Sequence, residues 1–346
     1  MKKIIAFVLT ACMVLSLAAC GSKPATEQKP AEAEYKLGMG VVVSTDSSKT
    51  GNAQVDATVA AVVTDAAGKI VACRIDVAQN KMDITGGAVD AAKTFKTKVE
   101  LGDDYNMAKY GSDNNGDGIV KEWDEQTLAF EAYVVGKTGA EVACLELKEA
   151  AGHMISVDEN LLKAGCTMQI TDFMAAIKKA CEDPAAVSFK TAGEFKLGVS
   201  AISEASESVA AVAGTDGTVK MYSEFGAAVV GADGKILAAL NDAIQPKITI
   251  NVAGEIVEAA FTGTKRELGD NYNMVKFGGA IAEWDAQSAA FSKYVIGKSA
   301  AEVRAIETKT NDHGYLVAVD TALYTGCTMQ ITGMMAVIAT AAEYAR

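Results

Sequence analysis

Two copies of one heptapeptide, Gly-Cys-Thr-Met-Gln-Ile-Thr, carry the residues of this chain best suited to covalent chemistry. They occupy positions 165–171 and 326–332, and the stretch after each copy predicts a helix. Thr167 and Thr328 therefore come shortly before a helix N-terminus, where free backbone N–H groups and the helix dipole favour a phosphate ester. The alternative from local physics is a strand end, in which both threonines fill β positions while the last threonine of each heptapeptide caps the helix.

A second group of residues with possible ligands occurs once, at positions 113–124. This segment reads Asp-Asn-Asn-Gly-Asp-Gly-Ile-Val-Lys-Glu-Trp-Asp and follows the spacing of a calcium-binding loop, with Gly118 at the sharp turn. It ends in Asp rather than the longer Glu, and the corresponding stretch 276–282 has no acids. A structural Ca²⁺ site and a plain polar turn both remain open. The Ca²⁺ ligands would be Asp113, Asn115, Asp117, the Ile119 carbonyl and Asp124.

Composition and motifs exclude several other functional classes. The net charge of −12 and the lack of a Lys/Arg cluster argue against nucleic-acid binding. Five cysteines follow Cys20, and their odd number and spacing predict neither a full disulfide framework nor a zinc, haem or iron–sulfur site. His153 and His313 precede the two heptapeptides, but a single His without a partner is more often a surface residue than a catalyst.

The elements that must position these residues are written twice along the chain. We infer a tandem duplication, with repeats at 36–183 and 196–346 joined by a linker at 184–195. The matching blocks keep the same order throughout. They are 34–38 with 194–198, 68–70 with 234–236, 101–107 with 268–274, 122–124 with 283–285, 133–137 with 294–298, and 165–171 with 326–332.

Each repeat has the same predicted secondary structure, and the fold class is α+β, with an antiparallel sheet packed with helices in each domain. Alternating stretches flanking a Gly-Lys turn predict a β-hairpin. A helix should begin at each tryptophan, and the apolar stripe of the first is Leu128, Phe130, Val134 and Val135. A last helix should follow Thr171 or Thr332 as N-cap. The hairpins are predicted at 55–63 with 70–77 and 226–230 with 236–240, the second tryptophan helix at 284–296, and the last helices at 172–181 and 333–345.

The N-terminus has the layout of a lipoprotein signal peptide at residues 1–20. Two lysines precede an apolar run, shorter than the roughly 20 residues of a membrane span, and Leu-Ala-Ala-Cys20 follows as in a bacterial lipobox. The alternative is ordinary secretory cleavage beside a chance Cys. Residues 21–35 lack apolar periodicity and predict a flexible tether. We expect a chain held by lipid on Cys20 at the extracellular face of the cell membrane.

The repeat resembles the FMN-binding domain of exported flavoproteins. That family has a Gly-Lys-Ile hairpin and, near its end, Ser/Thr-Gly-Ala-Thr followed by a helix of the type at 172–180. In the family, a membrane-associated flavin transferase attaches FMN to the last Thr of this motif through a phosphoester. Carried over by position, the resemblance implies Thr167 and Thr328 as covalent acceptors. It also places Gly165, Cys166, Gly326 and Cys327 in the cofactor-binding motif.

The two motifs depart from the family pattern at several positions. Cys replaces the usual Ala in both copies, and Ala164 replaces the Ser/Thr in the first copy. The family often has an Asp three residues before that Ser/Thr, where this chain has Leu161 and Ala322. The nearest acids lie further upstream, at Asp158 and Asp320.

The expected function follows from the resemblance together with the predicted location. Tandem lipoproteins of this kind resemble the flavinylated carriers of Gram-positive extracellular electron transfer. Two covalent FMN groups would relay electrons from membrane electron-donor proteins to extracellular acceptors, in an electron-transfer protein rather than an enzyme. The flavin rings could stack on Trp123 and Trp284, although both side chains suit a core position better. The alternative is a flavin-free lipoprotein for ligand binding or adhesion, with or without calcium.

Overall fold

Small and β-branched residues dominate the strands of this mixed α/β molecule, and the β-branched side chains pack well on a pleated surface. The computed structural model describes residues 31–113, 116, 118 and 120–346. The described strands are β1 (Ala33–Ser44), β2 (Asn52–Asp65), β3 (Ile70–Asp83), β4 (Leu147–Ala150), β5 (His153–Ser156), β6 (Val187–Thr191), β7 (Phe195–Glu204), β8 (Gly217–Lys220), β9 (Tyr222–Gly231), β10 (Ile236–Ile244), β11 (Lys247–Ile250), β12 (Ile256–Ala260), β13 (Thr308–Thr310) and β14 (Leu316–Ala318).

Two of the described helices in each half of the chain are long, and the others are single turns. The described helices are α1 (Lys98–Leu101), α2 (Met107–Tyr110), α3 (Trp123–Val134), α4 (Gly139–Ala143), α5 (Glu159–Lys163), α6 (Thr171–Cys181), α7 (Lys265–Leu268), α8 (Met274–Gly278), α9 (Trp284–Tyr294), α10 (Ala300–Arg304), α11 (Thr321–Tyr324) and α12 (Thr332–Glu343). One 3₁₀ turn follows α1 at Gly102–Tyr105, and another follows α7 at Gly269–Tyr272. In the part of the chain that the structure describes, no helix is both long and apolar enough to cross a bilayer.

The strands form antiparallel sheets with the same local plan in each half. The first large sheet has the order β3-β2-β1-β6, and the second has the order β10-β9-β7. Both predicted hairpins are confirmed, as β2–β3 and β9–β10. Gly68 and Gly234 adopt φ of 74° and 77° in the turns, which explains why glycine stands there. A smaller sheet, β12-β11-β8, and two two-stranded ribbons, β4-β5 and β13-β14, complete the described sheets.

One hydrophobic core lies between the two large sheets and belongs to both halves. It includes Leu37 and Val59 from the first half and Leu197 and Phe225 from the second, all fully buried. Because successive strand residues point to opposite faces, the other face of each sheet is left for helices. α3 and α6 cover the first sheet, and α9 and α12 cover the second. The region from Glu32 to Arg346 is accordingly one compact unit.

The start of the last helix differs from its prediction in both halves. Thr171 and Thr332 are the first helical residues, and the N-cap positions belong to Ile170 and Ile331, which make no side-chain cap. The N-cap assignment of the two threonines is therefore wrong. Both isoleucines are fully buried, so apolar packing fixes where each helix begins. The threonine is then the first residue of the helix rather than its N-cap.

The apolar stripe predicted for α3 is half wrong. Phe130 and Val134 are fully buried, whereas Leu128 and Val135 are 41% and 48% exposed. The buried face runs through Trp123, Thr127, Phe130 and Val134, a spacing of three or four residues that leaves Leu128 outside it. The corresponding helix α9 ends at Tyr294, two residues before its predicted end.

The segments predicted as tether and linker carry strand residues. β1 begins at Ala33, and β6 lies within 184–195 and pairs with β1 from Leu37↔Val187 to Ala33↔Thr191. The signal peptide, Cys20 and the tether before residue 31 lie outside the described residues.

Candidate functional site

The two heptapeptides lie in loops between short and long helices, α5–α6 in the first half and α11–α12 in the second. Three of their side chains belong to the core in both copies, because Cys166, Met168 and Ile170 pack under the sheet as their counterparts do. Packing therefore accounts for three of the seven unchanged residues. Thr167 is 3% exposed and Thr328 is half-buried, and each lies on the wall of a cleft.

The clefts have matching volumes and matching side chains. Cleft one has about 550 Å³ and cleft two about 590 Å³, within the range of roughly 300–1,000 Å³ that small-ligand sites occupy. Both tryptophans are buried at the start of a helix, which confirms the core position predicted for them, and both also line a cleft. Stacking of a flavin on these rings stays a prediction. Cleft one includes Lys98, Tyr105, Met107, Trp123, His153 and Thr167, and cleft two includes Lys265, Tyr272, Met274, Trp284, His313 and Thr328.

A buried glutamine fixes the backbone of each cleft threonine. The Thr167 N–H donates to Gln126 Oε1 at 2.9 Å, and its hydroxyl lies 3.4 Å from the same oxygen. Thr328 has the same contacts with Gln287, at 2.8 and 3.4 Å. Each glutamine also donates from Nε2 to the carbonyl five residues before it. Since a backbone N–H can only donate and a carbonyl can only accept, both amide orientations are determined.

Sequence reasoning missed these glutamines, although their signal was present. Gln126 and Gln287 each stand three residues after a repeated tryptophan, as Trp-Asp-x-Gln. Their partners lie 41 residues further along the chain, so nothing local connects the pair. The repeated blocks 122–124 and 283–285 could have been extended by two positions to include these glutamines.

The glutamate of each repeated Glu-Trp-Asp block holds the backbone beside the cleft through hydrogen bonds. Glu122 accepts from the backbone N–H groups of Met107 and Ala108, at 2.8 and 3.1 Å. Glu283 accepts in the same way at the start of α8. The preceding residue, Asn106 or Asn273, has φ near 59°, a conformation that asparagine tolerates better than most residues. These contacts explain why the Tyr-Asn-Met and Glu-Trp-Asp blocks recur together.

A lysine in each cleft was also missed from the sequence. Lys98 Nζ lies 4.8 Å from the centre of the Tyr105 ring and 5.4 Å from that of Trp123. Lys265 Nζ lies 4.9 Å from Tyr272 and 5.4 Å from Trp284. Cation–π attraction at these distances holds each ammonium group against the aromatic wall.

The two clefts differ in the carboxylate beside the last helix. Asp172 is the second residue of α6, and Gly333 stands at the equivalent position of α12. A Cβ on Gly333 would overlap the carboxylate of Glu224, which reaches over from β9. An acid is therefore present at both helix starts, supplied by the helix in one half and by the sheet in the other. Burial raises the pKa of both Asp172 and Glu224.

The remaining motif residues lie behind the cleft walls. Cys166 and Cys327 are fully buried in the core, and burial raises the pKa of each thiol to about 12. Both thiols therefore stay protonated and are poor nucleophiles at neutral pH. Gly165 has φ of 93° and packs against Lys121, whose Nζ donates to the Ala164 carbonyl at 2.8 Å. Gly326 packs on Ala290.

The acids upstream of the two motifs shape the loop before the heptapeptide. Asp158 and Asp320 are the N-caps of α5 and α11, and each accepts from a backbone N–H at 2.8 Å. Each also accepts from a tyrosine hydroxyl, Tyr133 at 2.8 Å and Tyr294 at 2.6 Å. This hydrogen bond is the main reason that the pKa of both aspartates is lowered.

The predicted calcium ligands are only partly described. Asn115, Asp117 and Ile119 lie outside the described residues. The Asp113 carboxylate accepts from the N–H groups of Gly116 and Gly118, at 2.8 and 2.9 Å, and Asp124 is the second residue of α3. Among the described residues, no group of three or more His, Cys, Asp or Glu side chains could hold a metal ion. The Ca²⁺ site stays a prediction.

Each cleft thus combines a threonine hydroxyl, an aromatic wall and a cation around a space of small-ligand size. Such a set can hold a flat aromatic molecule against the ring side chains and an anionic group near the lysine. No protein-family model, curated protein or solved structure matches this chain.

Proposed function

We propose that this chain is a lipid-anchored flavoprotein with two tandem homologous FMN-binding domains, each carrying covalent FMN on one threonine, Thr167 or Thr328. The observation that carries the proposal is the placement of these two hydroxyls at equivalent points of two equivalent clefts. Three further pairs of side chains recur around them, namely Gln126 with Gln287, Lys98 with Lys265, and Trp123 with Trp284.

The duplication is supported by the order of the elements as well as by the sequence. A hairpin, a capped one-turn helix, a tryptophan helix, a capped loop and a final helix follow one another in both halves. The capping boxes recur too, at Thr97–Glu100 and Thr264–Glu267. Independent convergence would not reproduce this order together with identical side-chain contacts.

The residues present in both clefts fit FMN. The cofactor has a flat aromatic ring, an apolar edge and an anionic phosphate, and each cleft offers aromatic rings, a methionine and a lysine for these parts. When bound, FMN supplies one- or two-electron redox chemistry. The protein's own part is to hold the phosphoester threonine rigidly, through the glutamine, and to shield one side of the ligand from water.

The proposed location outside the membrane explains why the cofactor would be bound covalently. A cofactor outside the membrane would be lost by diffusion, whereas an ester to the chain retains it without a binding cost at each turnover. With Cys20 lipidated, the chain stays beside membrane electron donors while its clefts face extracellular acceptors. A flavin transferase is the partner that loads both sites. We infer an electron-transfer role rather than catalysis of a reaction.

The decisive experiment is to denature the chain purified from its native host and measure flavin fluorescence in the gel and intact mass. We expect two FMN groups per chain, with Thr167→Ala and Thr328→Ala each removing one and the double variant removing both. Thr171→Ala and Thr332→Ala are matched controls within the same heptapeptides and should keep both. A colourless denatured chain would refute the proposal and favour a flavin-free binding or adhesion lipoprotein.

A further inference from the structure

The lysine of each cleft is positioned by a small and complete piece of structure. Lys98 opens the one-turn helix α1, which Thr97 and Glu100 close with a reciprocal capping box. Lys265 opens α7, which has the same box, Thr264 with Glu267. Both cap threonines are buried.

A buried aspartate on the neighbouring strand ties this turn to the sheet. Asp76 Oδ1 accepts from the N–H groups of Val77 and Val99, at 2.7 and 3.2 Å. Asp242 does the same in the second half, at 2.8 and 3.1 Å. Asp76 and Asp242 are almost fully buried. Asp76 and Asp242 thus each hold in place the turn that begins with the cleft lysine.

Neither cleft lysine forms an ion pair with a described residue. In the part of the chain that the structure describes, neither Lys98 nor Lys265 has a carboxylate within the 4.0 Å of an ion pair. Lys98 is the only Lys or Arg on the described wall of cleft one. Cleft two also has Lys220, but that side chain pairs with Glu207 at 2.9 Å. Among the described residues neither cleft lysine therefore forms an ion pair. Burial raises the pKa of Asp172 and Glu224, and the nearby charge of Lys98 or Lys265 partly offsets that rise.

We propose that Lys98 and Lys265 are the positioning residues that bind the phosphate of the flavin cofactor in their clefts. This assignment rests on the proposed function, because it takes FMN as the ligand. A phosphate is the permanent anion of that ligand, and the lysine is the matching cation in the same cleft as the acceptor threonine. The aromatic rings beneath the ammonium group fix its position without neutralising it.

The test uses the full chain made in a host without a flavin transferase, so that binding is non-covalent. The chain has two tryptophans, Trp123 and Trp284, and each lies 5.4 Å from a cleft lysine. Trp284→Phe leaves only the tryptophan of cleft one, and Trp123→Phe only that of cleft two. Quenching of tryptophan fluorescence is then titrated with FMN and with riboflavin, which lacks the phosphate.

We expect FMN to bind about tenfold or more tightly than riboflavin, as for a hydrogen bond to a charged group. Lys98→Met should abolish that preference in cleft one, and Lys265→Met in cleft two, while riboflavin affinity stays unchanged. Lys→Arg should keep the preference. Lys137→Met and Lys298→Met are matched controls, since these lysines also lie over tyrosine rings but outside the clefts.

Four results would overturn the assignment. The first three are equal affinity for FMN and riboflavin in the parent chain, a preference that survives Lys→Met, and no quenching by either compound. A loss of riboflavin affinity with the lysine would indicate a structural role instead and would also contradict it. These outcomes are distinguishable from failure of the proposed function, which is a colourless denatured chain from the native host.

Discussion

Replacing Gln126 by leucine tests whether the glutamine holds the acceptor threonine in place. The side chain is 1% exposed and satisfies two backbone groups, the Thr167 N–H and the Lys121 carbonyl. Leucine has a similar volume but neither donates nor accepts. Gln126→Leu therefore removes the hydrogen bonds of both groups to this side chain.

The size of the effect follows from how deeply those groups are buried. An unsatisfied buried backbone group costs about 1–3 kcal/mol. The hydrogen bond from Thr167 is fully buried, whereas the one to the Lys121 carbonyl is partly accessible to water. We expect Gln126→Leu to lower the free energy of unfolding by about 3 kcal/mol. Gln287→Leu should cost about half as much, because the Thr328 contact is only partly buried.

The assay is urea unfolding followed by both tryptophan fluorescence and circular dichroism. Coincident curves are needed for a two-state free energy. Gln169→Leu is the matched control, since this glutamine is exposed and lies in the same heptapeptide; it should change stability by less than about 0.5 kcal/mol. A cost for Gln126→Leu no larger than this control, or a larger cost for Gln287→Leu, would refute the reasoning. Covalent flavin at Thr167 should also fall in Gln126→Leu.

Three other predictions concern the clefts and their supports. Gly333→Ala should push aside the movable carboxylate of Glu224, which would otherwise overlap the new Cβ, and should lower the free energy of unfolding by no more than about 1 kcal/mol. Glu224→Ala in the same chain should remove this cost, and an additive double variant would contradict the overlap. Burial raises the pKa of Asp76 from 3.8 to about 6. The folded state therefore binds the proton of this carboxyl group more tightly than the unfolded state does, and the free energy of unfolding should fall as pH rises from about 4 to 6. Asp76→Asn should reduce this pH-dependent loss of unfolding free energy by up to about 3 kcal/mol. The measurement is urea unfolding at each pH, and an unchanged pH dependence would contradict the mechanism. Thr328 should be flavinylated faster than the more buried Thr167 in a timed reaction with the transferase; equal rates would show that exposure does not limit access.

The sequence predicts the local elements well, because their signals are local. Gly68 marks one hairpin and Gly234 the other, and each tryptophan begins a helix as expected. The N-caps were misplaced by one residue because a buried isoleucine competes with the capping preference of threonine. Leu128 was assigned to the core because it is apolar, although polar Thr127 occupies the buried face.

The site was predictable in part. The heptapeptide pointed to the cleft threonines, but Gln126 and Lys98 emerged only when the chain was folded. Their partners are distant in sequence, so neither periodicity nor composition connects them. The sequence does contain a signal for Lys98, which is a further repeated motif. Thr-Lys-x-Glu precedes the block at 101–107 in one half and the block at 268–274 in the other. A longer self-comparison would have found both residues.

The joint core could not be predicted from periodicity. β2 is buried on both faces from Ala57 to Val63, which indicates two covering layers but not what the second layer is. One layer is the helices of the same half, and the other is the sheet of the opposite half. Such a strand has the same pattern whether a second half-chain or another layer of helices lies above it.

The shared core also constrains how the molecule can have arisen and how it can be divided. A half-chain ending near residue 193 would expose the sheet face that includes Leu37 and Val59 to water. The simplest way to cover that face is a second identical half-chain, so an ancestor with one repeat would have been a two-fold symmetric homodimer. Duplication of its single gene and fusion of the two copies would then preserve the interface as an interior. We expect an isolated half-chain to dimerise, and the intact chain to hold its two clefts at a fixed separation that no linker motion can change.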